Sequence, residues 1–192
     1  MLKFSIPAAA VVGVRAIHAS MVIIASDGRE QSDGALALGR MLAGSADALR
    51  LISVIKPVPT LPEQLPISPD VDAGRRADAR REVINQARRL WDADPDVELM
   101  EGDPATAISG AAHRAGATMI VCGLGRHRVT GRVFGDETAL RFIRLADVPV
   151  RAATAQLDHA PRRIVVATDF TETSLRAARL ALDLAAPGAT IH

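Results

Sequence analysis

Two segments of this 192-residue chain carry the residue types for contact with a small polar ligand, and the second of them for holding an anion. The first is Ala25-Ser26-Asp27-Gly28, a carboxylate among small residues. The second is Gly123-Leu124-Gly125-Arg126-His127-Arg128-Val129-Thr130-Gly131-Arg132-Val133-Phe134-Gly135-Asp136. Glycines let backbone N–H groups approach phosphate oxygens, and Gly135, expected at a helix start, adds the positive end of a helix dipole. Arg126, His127, Arg128 and Arg132 bring cations to the same loop. Other chemistries find less support. The single cysteine, Cys122, ends an apolar run and reads as a small buried hydrophobe. The histidines at 18, 113, 127, 159 and 192 share no metal-ligand or catalytic spacing, so no metal is predicted. No Walker sequence, Ser-Gly-Gly-type pyrophosphatase loop or acid/base constellation appears, and the chain reads as a binding module rather than an enzyme.

For the two segments to act together, their strands must end side by side. Met21–Ser26 and Ala48–Ile55 are short, apolar, β-branched runs that predict buried strands, separated by a helix over Ser32–Leu42. Lys56 to Asp70 carries five prolines and reads as a loop. Beyond it Val83, Ile84, Ala87, Leu90 and Trp91 form a helical stripe, beside arginines at 75, 76, 80, 81, 88 and 89 that read as a solvated face. Strands over Val97–Met100, Thr118–Cys122 and Pro149–Ala153 alternate with helices over Pro104–Ala115 and Thr138–Leu145. This alternation predicts an α/β fold, a parallel sheet covered by helices on both faces. Ligands of such sheets sit outside the carboxyl ends of the strands, where the strand order reverses.

Lys+Arg 23 against Asp+Glu 22 leaves no global field for nucleic acid, and 3 % aromatic content offers bases little to stack on. No stretch approaches the ~18 apolar residues of a membrane span. Lys3 precedes an apolar run from Phe4 to Val14, but Pro7 and Gly13 interrupt it, which favours a frayed N-terminal extension over residues 1–20 rather than a secretion signal. One cysteine fits a reducing compartment, and the cytoplasm is the expected location.

At Asp27 and the glycine-bearing loop the chain resembles the universal stress protein family, over nearly all of Met21 to Ala153. The resemblance implies a three-layer α/β/α sandwich, adenine nucleotide alpha-hydrolase-like, with a five-stranded parallel sheet of order 3-2-1-4-5. It also implies ATP or another adenine nucleotide as the small-molecule ligand. Asp27, following Ala25 and Ser26, matches the aspartate that contacts the nucleoside, and Val54 falls where the second strand lines the adenine. The family loop is Gly, two residues, Gly, nine residues, Gly and Ser/Thr. Gly125 and Gly135 match its second half. Gly123 to Gly125 is one residue short, and Asp136 stands in place of the hydroxyl residue. A carboxylate ~4 Å from a phosphate charge, at an effective dielectric of ~20, costs about 4 kcal/mol before screening. A weakened site follows, with Arg126, His127, Arg128 and Arg132 placed to compensate.

The chain also repeats itself. Val22–Ala43 shifted by 142 positions lies without a gap on Ile164–Ala185, so that Asp27, Glu30, Ser32 and Leu38 meet Asp169, Glu172, Ser174 and Leu180. The expected organisation is a complete domain over 21–154, a linker over 155–162 and the incomplete start of a second such domain over 163–192, disordered or domain-swapped. The strand Ile164–Thr168 would otherwise be an exposed apolar edge, so a homodimer or pairing with a second domain of the same type is expected. Both aspartates stand three residues before a glutamate, a spacing also compatible with helix capping. Two functions follow: a stress-type regulatory module responding to nucleotide, or a degenerate domain acting in assembly.

Overall fold

The computed structural model describes residues 4–5, 21–43, 45–57, 68–91, 94–124 and 137–192. Its strands are β1 (Phe4–Ser5), β2 (Val22–Ala25), β3 (Leu49–Ile55), β4 (Val97–Glu101), β5 (Met119–Gly123), β6 (Val150–Ala153), β7 (Arg163–Ile164) and β8 (Thr190–Ile191). Its helices are α1 (Asp33–Leu42), α2 (Pro69–Trp91), α3 (Pro104–Ala115), α4 (Glu137–Leu145) and α5 (Glu172–Leu184). The chain divides into two compact units: one is Ala19–Asp158, and the other joins His159–His192 to the N-terminal segment that contains β1.

In the larger unit five strands run parallel in the order β4-β3-β2-β5-β6. Counted within the unit, this is 3-2-1-4-5, with the reversal between β2 and β5. Side chains alternate across a strand. Ile23 and Ala25 of β2, Ile52 of β3 and Ile120 and Cys122 of β5 therefore share a buried cluster with Ile108, Ala111 and Ala112 of α3 and Phe142 of α4. Ile24, one residue out of phase, meets α1 on the opposite face at Gly39. Burial on both faces explains why these strands read as continuous apolar runs rather than alternating ones.

Two expectations shift here. The loop expected through Asp70 already ends at Pro69, where α2 begins, because proline is tolerated in a first helical turn, where its missing N–H costs nothing. The carbonyl of Ser68 accepts from the amides of Val71 and Asp72, and Asp70 and Asp72 suit the positive end of the helix. On α2 the buried stripe is Val83, Gln86 and Ala87, whereas Leu90, expected inside, is exposed. The arginines beside it meet carboxylates: Arg75 and Arg76 reach Asp72 and Glu101, and Arg80 reaches Asp96. Exposed pairs of this kind fit the solvated-face reading and are worth little each.

In the smaller unit β7 pairs parallel with β8, which pairs antiparallel with β1. The tail expected to be disordered or domain-swapped carries secondary structure within residues 163–192, and of the expected N-terminal extension Phe4 and Ser5 lie within the described residues. Ladder partners for both come from this three-stranded sheet, and α5 connects β7 to β8 as a parallel crossover must.

α1 approaches the large sheet through glycines. A Cβ on Gly34 would lie 1.8 Å from the carbonyl oxygen of Thr154, and one on Gly39 would lie 2.2 Å from Cδ1 of Ile24. Gly34→Ala is expected to destabilise the protein by about 2 kcal/mol or more, since backbone must move to admit the methyl group. The same change at Gly74 of α2, where a Cβ meets nothing within 4 Å, is expected to stabilise by up to about 1 kcal/mol. Urea denaturation of both variants checks the pair; equal effects would contradict the close approach of α1.

Candidate functional site

β2 and β5 are adjacent, in register from Val22 beside Met119 to Ala25 beside Cys122, so the segments that follow them emerge together. The amide of Ser26 continues the ladder by donating to the carbonyl of Ile52 at 3.0 Å. The chain then turns at Gly28, whose φ of 79° lies in the left-handed region that favours glycine. Space demands glycine as well, because a Cβ there would lie 2.8 Å from Cβ of Glu82 on α2.

Asp27 sits at the head of this turn. Its carboxylate accepts from the Arg29 amide at 3.2 Å, Gln31 Nε2 at 3.0 Å and the Ser32 hydroxyl at 2.6 Å. Its Oδ2 also faces Arg29 Nε at 3.9 Å, and the side chain remains 44 % exposed. The capping alternative does not describe it. α1 has Ser32 at its N-cap, with no side-chain cap bond, and Asp27 instead folds the loop onto itself as an Asx turn.

Gly123, the last residue of β5, lies against this turn. A Cβ there would be 2.6 Å from the carbonyl oxygen of Gln31 and 2.8 Å from Cα of Ser32. The start of the glycine-bearing loop and the Asp27 turn are thus packed backbone to backbone at the strand-order reversal. Of the site residues expected from sequence, Ala25 is buried at the end of β2, and Gly123 meets the Asp27 turn. Val54 is half-buried in β3 beside Met100. Gly125, Arg126, His127, Gly135 and Asp136 lie outside the described residues. A cavity of about 200 Å³ lined by Ser109, His113, Gly116 and Asp147 stands at the opposite, amino ends of β5 and β6, away from this crevice. Among the described residues no group of three or more His, Cys, Asp or Glu is placed to hold a metal ion, and no helix is long and apolar enough to cross a membrane.

The repeat noted in the sequence extends to hydrogen bonding. In the smaller unit the amide of Phe170 donates to Thr168 Oγ1 at 3.0 Å, as that of Gly28 does to Ser26 Oγ at 3.0 Å. The amide of Thr171 donates to Asp169 as that of Arg29 does to Asp27. Phe170 takes a φ of 63°, the left-handed conformation of Gly28. The Thr171 hydroxyl, then the Thr171 amide and the Ser174 hydroxyl, hold the Asp169 carboxyl down to about 2.

These features define an α/β/α sandwich of the adenine nucleotide alpha-hydrolase-like class, with its crevice between the first and fourth strands of the unit. The universal stress protein family matches residues 20–152, and the chain belongs to that family. Stress response protein NhaX of Bacillus subtilis (strain 168) is 29 % identical, across 69 % of this chain and 96 % of that protein. A universal stress protein family structure from Burkholderia pseudomallei is 28 % identical, covering 69 % of this chain and 94 % of its own, at a TM-score of 0.49. A universal stress protein structure from Archaeoglobus fulgidus DSM 4304 has a TM-score of 0.59 at 19 % identity, covering 86 % of this chain and 62 % of that one, a likeness of fold.

Sequence reasoning missed Gln86, which is fully buried beneath the Asp27 turn. The only signal was its phase: it lies three residues after Val83 and next to Ala87, on the buried face. It also missed the anchor of α4, the helix that follows the glycine-bearing loop. Arg141 of α4 grips both oxygens of Asp103, at 2.6 and 2.9 Å, while Asp103 caps α3 through the amide of Thr106. The Thr106 amide and hydroxyl, with Arg141, hold the Asp103 carboxyl below its ordinary value of 3.8. A depressed folded-state pKa adds stability above the unfolded pKa, lost as pH falls through the folded one. Asp103→Ala is therefore expected to melt a few degrees below the parent at pH 6, with the gap closing well below pH 3.8. Melting curves across pH check this, and a gap that persists at the acid end would contradict it.

Proposed function

We propose that the larger unit is a stress-type regulatory module that binds an adenine nucleotide in the crevice between the Asp27 turn and the glycine-bearing loop. The observation that carries this reading is the packing of Gly123 on the backbone of Gln31 and Ser32, which brings both segments to one place. In this reading the exposed side of the Asp27 carboxylate accepts hydrogen bonds from ribose hydroxyls. Val54 lines the base, and backbone amides of the loop around Gly125 and Gly135 meet the phosphates. Arg126, His127, Arg128 and Arg132 offset the carboxylate of Asp136. Binding at the loop would load α4, which Arg141 ties to Asp103. No reaction is assigned to the site, and a cytoplasmic setting belongs to the same proposal.

A second reading, assembly, draws support from the smaller unit. None of α5's residues is buried, and Val165 and Phe170 are 81 % and 80 % exposed. In the matching helix of the larger unit, Ala35, Leu38 and Leu42 are all buried. An amphipathic helix is stabilised mainly by covering its apolar face, so a second copy of the chain, or a second domain of the same type, is the proposed cover.

Calorimetric titration of ATP, ADP, AMP and cyclic AMP into the full chain tests the first reading. At least one nucleotide is expected to bind at micromolar affinity, with Asp27→Ala weakening it about tenfold or more. Asp136→Ser is expected to tighten binding of the polyphosphates above all. No binding to parent or variant, together with a dimer by light scattering, would replace the nucleotide reading with the assembly one.

A further inference from the structure

The Asp27 turn is held by its own hydrogen bonds, by close packing against β5 and α2, and by hydrogen bonds from Gln86 of α2, beside which Arg89 of the same helix stands 3.8 Å from Asp33. Gln86 of α2 is fully buried, an expensive place for a primary amide unless each of its groups finds a partner. Each does. Oε1 accepts from the Ser26 hydroxyl, Nε2 donates to the carbonyl oxygen of Arg29 at 2.7 Å, and Nε2 donates again to Asp33 Oδ1 at 2.6 Å. The amide cannot be reversed, because the Arg29 carbonyl and the Asp33 carboxylate accept only, so the nitrogen must face them. These partners bracket the turn: Ser26 precedes Asp27, Arg29 follows Gly28, and Asp33 opens α1. One helical turn earlier on α2, Glu82 and Val83 lie so close to Gly28 that no Cβ fits.

We infer that Gln86 is a positioning residue for the nucleoside aspartate: through Ser26, Arg29 and Asp33 it fixes where the Asp27 carboxylate stands and couples the site to helix α2. This rests on the nucleotide reading given above. The internal repeat shows what Gln86 adds. The turn at Asp169 shares the two amide bonds, to the strand-end hydroxyl and to the aspartate, and there the strand-end hydroxyl of Thr168 pairs with Ser174 Oγ at 3.0 Å, inside its own loop. In the larger unit the corresponding hydroxyl of Ser26 reaches across to α2. The turn's shape is thus written locally, whereas its placement against the rest of the site comes from Gln86.

The test uses the full chain with Gln86→Met, which keeps the buried volume and removes all three hydrogen bonds. A space-filling role would survive this change, whereas a positioning role would not. Two readouts are taken: backbone amide exchange at Gly28, Arg29 and Ser32, and calorimetric affinity for ATP. The variant is expected to melt cooperatively, to exchange these amides about tenfold faster while amides in β2 and β5 keep their protection, and to bind ATP about tenfold more weakly. Unchanged exchange and unchanged affinity would overturn the inference. Faster local exchange in a protein whose parent binds no ATP would support the placement of the turn while removing the nucleotide reading. Should Gln86→Met fail to fold, Ser26→Ala severs the link from the loop side; because it also removes the acceptor of the Gly28 amide, exchange is then read at Arg29 and Ser32, where unaltered protection would overturn the inference.

Discussion

Everything in the larger unit depends on β2 having neighbours of opposite origin. On one side it pairs with β3, the next strand in the chain, and on the other with β5, which the chain reaches only after two further crossovers. Right-handed crossovers place successive helices on one face while the strands are laid down in one direction and on the other when the direction changes. α1 and α2 therefore cover one side and α3 and α4 the other. The connections leaving β2 and β5 then diverge to opposite faces, and the space between them is the crevice. The same constraint buries β2 on both faces, which is why Val22, Ile23 and Ile24 have no exposure at all.

This architecture was legible because its signals are local and redundant. Apolar runs bounded by turn residues marked all five strands, and Asp103 before Pro104 marked the start of α3. Gly116 takes a left-handed φ of 60° and closes the helix. What escaped was decided by tertiary contact. Pro69 looked like the last of a proline-rich loop because proline is as suited to a first helical turn as to a loop. Gln86 was not singled out, since nothing nearby in the chain announces Ser26, Arg29 and Asp33 as its partners. Leu90 looked internal by period alone, but it is exposed, and the inward line from Val83 and Ala87 continues instead through half-buried Trp91, whose indole N–H donates to the Leu36 carbonyl at 3.2 Å.

For the candidate site, the sequence pointed to Asp27 and Gly123, each at a strand end, and the structure packs the segments that carry them together. The sequence did not indicate their mutual packing, because the closeness of Gly123 to the Gln31 carbonyl depends on how the turn folds back after Gly28. Nor did it indicate that Asp103 serves twice, as cap to α3 and as anchor for Arg141, since the two residues are far apart in the chain. Asp103 makes the helix after the glycine-bearing loop and the helix before β5 into one mechanical piece.

The two turns of the repeat differ at a single telling position. Gly28 leaves its turn bare, so that helix backbone at Glu82 and Val83 rests directly on it. In the other copy the same left-handed conformation carries Phe170, whose ring stands in solvent. No helix can lie on that turn as α2 lies on the first: a benzyl group occupies the distance of closest approach, and whatever meets it must do so through an aromatic side chain. The two copies share the turn but not the helix that rests on it, and a graft of one turn into the other would carry its shape and lose its neighbour.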